Sequence, residues 1–275
     1  MTGTADQVPD TGKFVPRYDR AMLSDEAKAG RSVAQDNNII EDLAEAMGAV
    51  YRLPKDIPVI GQECGGFNAY WDPETQSIVL CYEMFAGAEQ YARAQSEGRP
   101  DYFNLYFDGV TRMITFHESA HMAIELYALP TTGREEDSAD QLSALLQLTE
   151  PGPSGAGGVA AAADFWFDIS DEPAVFDAST FADEHSLSQV RAYNLLCWDY
   201  GALPDVLGVL VTIPGEPEQK GRLPLERAVG CVDEYNQMQA AWATLLKPHI
   251  KVELGVAPAI ATTTPGAQPT TTPAR

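Results

Sequence analysis

His117 and His121 lie four residues apart with Glu118 beside the first, an H-E-x-x-H sequence set in an apolar run. If that run is helical, residues four apart share a face, so two imidazoles can point at one metal ion. Glu118 then projects where its carboxylate can reach a water held by the ion without itself becoming a ligand. Chance supplies such a pattern in a chain of this size on the order of once in a hundred sequences. A surface helix carrying these residues by accident would have polar neighbours, whereas Met113, Ile114, Phe116, Met122, Ala123 and Ile124 are apolar. Two imidazoles and a carboxylate on a buried helix need a partner, and a metal ion serves as one.

A third ligand is expected downstream. Pro130-Thr131-Thr132-Gly133 turns the chain, and Glu135, Glu136 and Asp137 open a second apolar-periodic helix, as the helix dipole favours. Glu136 and Asp140 are again four apart. Folded as an antiparallel hairpin, the two helices bring Glu136 to the histidine pair, giving a His-His-Glu zinc set with one open position. Asp140 then accepts the spare N–H of a ligating imidazole. Glu135 and Asp137 are rival ligands, and a plain solvated acidic helix start is the alternative.

H-E-x-x-H followed by Glu136, Ala139 and Asp140 as E-x-x-A-D resembles the gluzincin-type metallopeptidases. Further blocks resemble a bacterial family of zinc metallopeptidases known by these motifs. They include Glu63-Cys64-Gly65, Asn68-Ala69-Tyr70, Tyr82-Glu83, Gly133 to Gln141, His185-Ser186-Leu187, Tyr193-Asn194, Glu234-Tyr235 and Trp242. The likeness runs, with gaps, over roughly residues 40 to 250 and is most specific in the two metal-site helices. It implies an α+β fold, a mainly helical zincin-like single domain with a small antiparallel β-sheet before the H-E-x-x-H helix.

Composition bounds the partners. The net charge of −22, from 40 acidic and 18 basic residues, argues against nucleic acid or an anionic membrane. No apolar run is long enough to span a bilayer. The four cysteines form two local pairs without zinc-knuckle spacing. Of three possible connectivities, Cys64–Cys81 and Cys197–Cys231 are favoured, which implies a periplasmic or extracellular compartment; reduced, buried thiols are the alternative. The N-terminus lacks a basic segment and an apolar segment of signal-peptide type, so an exported chain would be a mature form.

Three parts are expected: a flexible segment over residues 1–20, a metallopeptidase-like domain over 21–250, and a disordered Thr/Pro-rich tail over 251–275. Within the domain, apolar spacing predicts one or two helices over 25–51, then short strands at 58–60, 67–71 and 77–80. Helices are expected over 82–95 and 101–127, the second leading straight into His117. A flexible Gly/Pro connection is expected at 151–159, a helix at 160–167 and an acidic loop at 168–182. Helices over 186–200 and 225–246 complete the domain. The small sheet offers an edge to which an extended peptide could add, or is purely structural.

His185, Arg191 and Tyr193 are candidate donors to the oxyanion of a hydrolytic transition state, with capping, packing or a structural ion pair as the plain alternative for each. His249 is expected at the surface. The reading is thus peptide hydrolysis: zinc on His117, His121 and Glu136, with Glu118 as base towards a zinc-bound water. The alternative is a secreted zinc-binding protein on the same scaffold without turnover, which would have its fourth coordination position closed, for example by Asp137.

Overall fold

A 27-residue helix, α4 (Pro100–Leu126), runs through the middle of the molecule and carries the whole H-E-x-x-H sequence. At 1.5 Å per residue it is about 40 Å long. Pro100 occupies its first turn, where the missing N–H costs nothing. From Tyr106 onward most of its residues are buried, because elements cover it on several sides. The computed structural model describes residues 7–21, 23–170, 178–215 and 221–256.

Before α4 come β1 (Phe14–Tyr18), α1 (Asp25–Asp36), α2 (Ile39–Val50), β2 (Ile57–Gln62), β3 (Ala69–Asp72), β4 (Ser77–Cys81) and α3 (Tyr82–Ser96). After it come α5 (Glu135–Thr149), α6 (Ala156–Ser170), α7 (Ala178–Ala182), α8 (Ser188–Ala202), β5 (Val211–Thr212), β6 (Leu223–Pro224), α9 (Leu225–Ala228) and α10 (Cys231–Leu246). The fold is mainly helical α+β, as expected. Ser24 starts α1 by accepting the Ala27 N–H, and Asp25 and Glu26 favour the positive end of its dipole. Asn38, left-handed at φ 53°, breaks the 25–51 region into α1 and α2.

The sheet is mixed rather than antiparallel, with strand order β1-β2-β4-β3. β1 and β2 are parallel, as are β2 and β4, and only β3 runs antiparallel to β4. The extra strand comes from the segment expected to be flexible. Phe14 anchors it edge-on against Tyr51, and Pro16 is tolerated because β1 lies at the sheet's border. β4 is buried along its whole length, and β3 forms the other border, beside α4.

Two further expectations are corrected. The Gly-rich stretch at 151–159 is a 3₁₀ turn, Gly152–Ser154, followed by the start of α6. Its glycines serve close packing: a Cβ on Gly109 of α4 would lie 2.5 Å from the Gly158 carbonyl oxygen. α6 can therefore press directly on α4, and it extends to Ser170, into the expected acidic loop. The helix expected over 225–246 is interrupted between α9 and α10. Residues 171–177 of the acidic loop, 1–6 of the N-terminal segment and 257–275 of the Thr/Pro-rich tail lie outside the described residues. The start of that tail is held in place: the Gly255 N–H donates to Thr149 and the Val256 N–H to Tyr235.

Both expected disulfides are present, Cys64–Cys81 and Cys197–Cys231. The first ties the loop after β2 to the end of β4, and such bonds persist in oxidising compartments. Among the described residues, no helix is long and apolar enough to cross a membrane.

Asp199 on α8 is a conspicuous cost in this core. It is wholly buried, and neither carboxylate oxygen has a hydrogen-bond partner. Burial pushes its carboxyl well above the ordinary range. The folded chain thus holds a proton that the unfolded chain releases above about pH 4. Its contribution to stability therefore falls as pH rises from there through the raised folded pKa, by about 1.4 kcal/mol per pH unit at the steepest. Asp199→Asn is expected to unfold at higher urea than the parent at pH 8, with the gain shrinking towards pH 4. A gain independent of pH would contradict this account.

Candidate metal centre

α4 and α5 form the antiparallel hairpin anticipated from the turn between them, and their facing sides hold the polar cluster. His117 and His121 turn their Nε2 atoms inward, 3.1 Å apart. Glu136 Oε2 lies 2.9 Å from His117 Nε2 and 3.3 Å from His121 Nε2. The set His117, His121 and Glu136 could hold a metal ion. The three separations suit it, since ligands about 2.0–2.1 Å from a tetrahedral zinc stand about 3.3 Å apart.

The outer nitrogens define which ring atoms are free. His117 Nδ1 lies 2.8 Å from Asp140 Oδ1, and His121 Nδ1 lies 2.8 Å from Glu135 Oε1. An ionised carboxylate only accepts, so each Nδ1 carries a hydrogen, and a neutral ring then turns its Nε2 lone pair inward. Two lone pairs and a carboxylate oxygen then meet in one small space, which is favourable only with positive charge among them. The titration of these groups follows from the same crowding of carboxylates around the rings. Burial alone would lower the His117 imidazole, but Asp140 and Glu136 outweigh it and hold it at about 9. Burial would raise Glu136, but the imidazoles of His117, His121 and His185 drive it far below the usual carboxylate range. The donor chemistry fits a dication.

Asp140 is 5% exposed and grips Arg191 with both oxygens, at 2.7 Å to Nε and 2.6 Å to Nη2. Burial would raise its carboxyl; Arg191 and His117 overcome that and bring it down to about 2. Arg191 in turn lies over the Trp166 ring, 3.7 Å from its centroid. Asp140 thus lies on the outer side of His117, and Arg191 pairs with Asp140 rather than with the facing Nε2 atoms.

Glu118 is nearly buried beside the pair, and burial raises its carboxyl despite both histidines. The N–H of Trp71 on β3 donates to its Oε2 at 2.9 Å. The border strand thus fixes this carboxylate, a contact that the sequence reading did not foresee because a backbone N–H leaves no mark in residue type.

His185 sits just before α8, with Nε2 2.9 Å from Glu136 Oε2 and its own N–H donating to Asp183. Of the remaining candidates, Asp137 accepts from Ser186 Oγ and is not among the residues that could hold a metal. Tyr193 packs edge-on against Phe167 and does not line the cleft. His249 is stacked on Tyr127 at 4.1 Å, its Nδ1 buried without a partner, so it is not the surface residue expected.

The cluster opens on a cavity of about 790 Å³, bounded by β3, α4, the start of α5, α6 and the segment before α8. Phe67, Tyr91, Phe165 and Trp166 form a continuous aromatic wall, the other three each in ring contact with Phe165. None of these four was singled out from sequence for the site, because they come from three separate stretches of chain.

A family model described as "Putative metallopeptidase" (DUF4344) matches residues 18–246. No curated protein and no solved structure matches the chain.

Proposed function

The chain belongs to this metallopeptidase family, whose model spans most of it, and from that premise we propose that it is a zinc-dependent peptidase. The observation that carries the reading is the convergence of His117 Nε2, His121 Nε2 and Glu136 Oε2, with an ionisable carboxylate, Glu118, beside them but outside the set. A structural site needs no such base. Nor does Asp137 close the set, since its hydrogen bond goes to Ser186.

His117, His121 and Glu136 would hold the zinc, which when bound supplies Lewis acidity, acidifying a water to a pKa of about 7 and polarising a carbonyl. Glu118 takes the proton of the attacking water at its carboxylate and returns it to the leaving amine. The Trp71 N–H keeps that carboxylate aimed. Asp140 and Glu135 keep the two imidazoles in the tautomer that leaves Nε2 free. His185 is half-exposed at the mouth of the cluster, with Nε2 2.9 Å from Glu136 Oε2 and Asp183 3.4 Å from Nδ1; with that Glu136 oxygen on the ion, Nε2 would be free to donate to the oxyanion. β3 has no strand on its outer side among the described residues, and its main-chain groups other than the Trp71 N–H would be open to an extended substrate.

The purified chain is expected to carry one zinc per molecule by elemental analysis and to hydrolyse a mixed peptide library. Chelation should abolish the hydrolysis and added zinc should restore it. Cleavage that persists unchanged after complete metal removal would overturn the assignment.

A further inference from the structure

We propose that the cleft selects peptides that place a bulky apolar side chain next to a basic one, and that it disfavours acidic peptides; this rests on the peptidase reading above. Two independent features of the walls carry the inference.

The first is charge. Five glutamates line the cavity, Glu118, Glu125, Glu135, Glu136 and Glu184, against one arginine among the described lining residues. That arginine, Arg191, is held on Asp140 through two of its nitrogens. A dication on the histidine pair would still leave the cleft net negative. Glu125 and Glu184 are exposed; Glu184 comes within 4.8 Å of Glu136 and His185, whereas Glu125 is in neither group that could hold a metal. Glu125 stands at the rim of α4, accepting from Trp71 Nε1 at 2.6 Å. These two carboxylates are placed to meet a lysine or arginine of the substrate and to repel a glutamate or aspartate. No lining lysine, and no arginine other than Arg191, is present among the described residues to receive an acidic side chain.

The second is the aromatic wall. Phe67 stacks on Phe165 with centroids 5.5 Å apart, yet remains 41% exposed towards the cleft. Its ring lies over Gly87 of α3, where a Cβ would come within 2.7 Å of it, so the backbone below is cut away to seat it. Cys64–Cys81 tethers the loop that carries Phe67. A fixed, half-exposed ring beside Tyr91 and Trp166 is a surface on which an apolar side chain loses water at little ordering cost.

The test uses the zinc-loaded full chain and capped peptides matched except at one position, Phe against Ala or Lys against Glu. Phe is expected to exceed Ala by about tenfold or more in kcat/KM. Lys is expected to exceed Glu by about tenfold at low salt, the ratio shrinking as salt is added. Phe67→Ala should erode only the first preference. Glu125→Gln should erode only the second, leaving cleavage of the neutral peptides within about twofold. Calorimetric binding of the same peptides to Glu118→Gln gives a readout without turnover. Turnover with no preference, or with preference for Glu, overturns this inference and leaves the peptidase reading standing. Ordered binding without turnover by the parent chain overturns the peptidase reading and leaves the cleft's selectivity standing. Neither binding nor turnover overturns both.

Discussion

Glu118→Gln is expected to retain its zinc and its fold while losing peptide hydrolysis by about 10²–10⁴-fold. The expectation is sharp because the substitution is nearly isosteric and each contact of Glu118 can be followed. The Trp71 N–H, which donates to Oε2, can donate equally to the amide oxygen of glutamine. The side chain is 7% exposed, and burial already works against its charge, so removing that charge does not destabilise the core. His117, His121 and Glu136 are left intact, so metal content should stay at the parent value. The only property lost is the capacity to take a proton. If elemental analysis showed zinc lost along with activity, Glu118 would be part of the binding set and not the base. Full activity with zinc retained would remove Glu118 from the chemistry and move the chain towards a non-catalytic zinc protein.

The part of this site that was legible in sequence is the part made by short-range spacing. His117 and His121 share a face because they are one helical turn apart, and Glu136 and Asp140 do so for the same reason. The turn between α4 and α5 is short enough that the two faces must meet. Long-range contacts were not legible. Trp71 reaches Glu118 across 47 residues through a backbone N–H, and Arg191 reaches Asp140 across 51. The fold divides in the same way. Helices α1 to α5 follow apolar periodicity, whereas β1 was hidden by Pro16 and by charged neighbours, and only pairing with β2 makes it a strand. The glycines at the start of α6 are ambiguous in sequence, since flexibility and close packing use the same residue, and only Gly109 on the facing helix decides for packing. Tyr193 shows the converse error, because its place in a promising stretch of sequence does not determine the face of α8 from which it projects.

Asp140→Asn should cost both stability and metal affinity, and the two losses can be separated. In the parent, one buried carboxylate serves two partners: it holds Arg191 in a two-pronged pair and orders the His117 ring. Asparagine has the same shape but presents an NH₂ group where an acceptor is needed, so at least one of the three donors loses its partner. Arg191 is then left buried with only the Trp166 face beside it, and stranding such a charge costs about 3–5 kcal/mol. The His117 tautomer is no longer enforced, and loss of such a support lowers metal affinity by about 10–100-fold. The sign of the pH dependence follows from Asp140's depressed pKa of about 2: its stabilisation is present above the unfolded value near 4 and is lost as pH falls through about 2. The gap between parent and variant in urea unfolding should therefore be widest at neutral pH and narrow in acid. Adding Arg191→Met to Asp140→Asn removes the stranded charge, so stability should recover in part while zinc affinity stays low. Recovery of both together would mean that Arg191, and not Asp140, orders the histidine. Recovery of neither would mean that the pair is not the source of the cost.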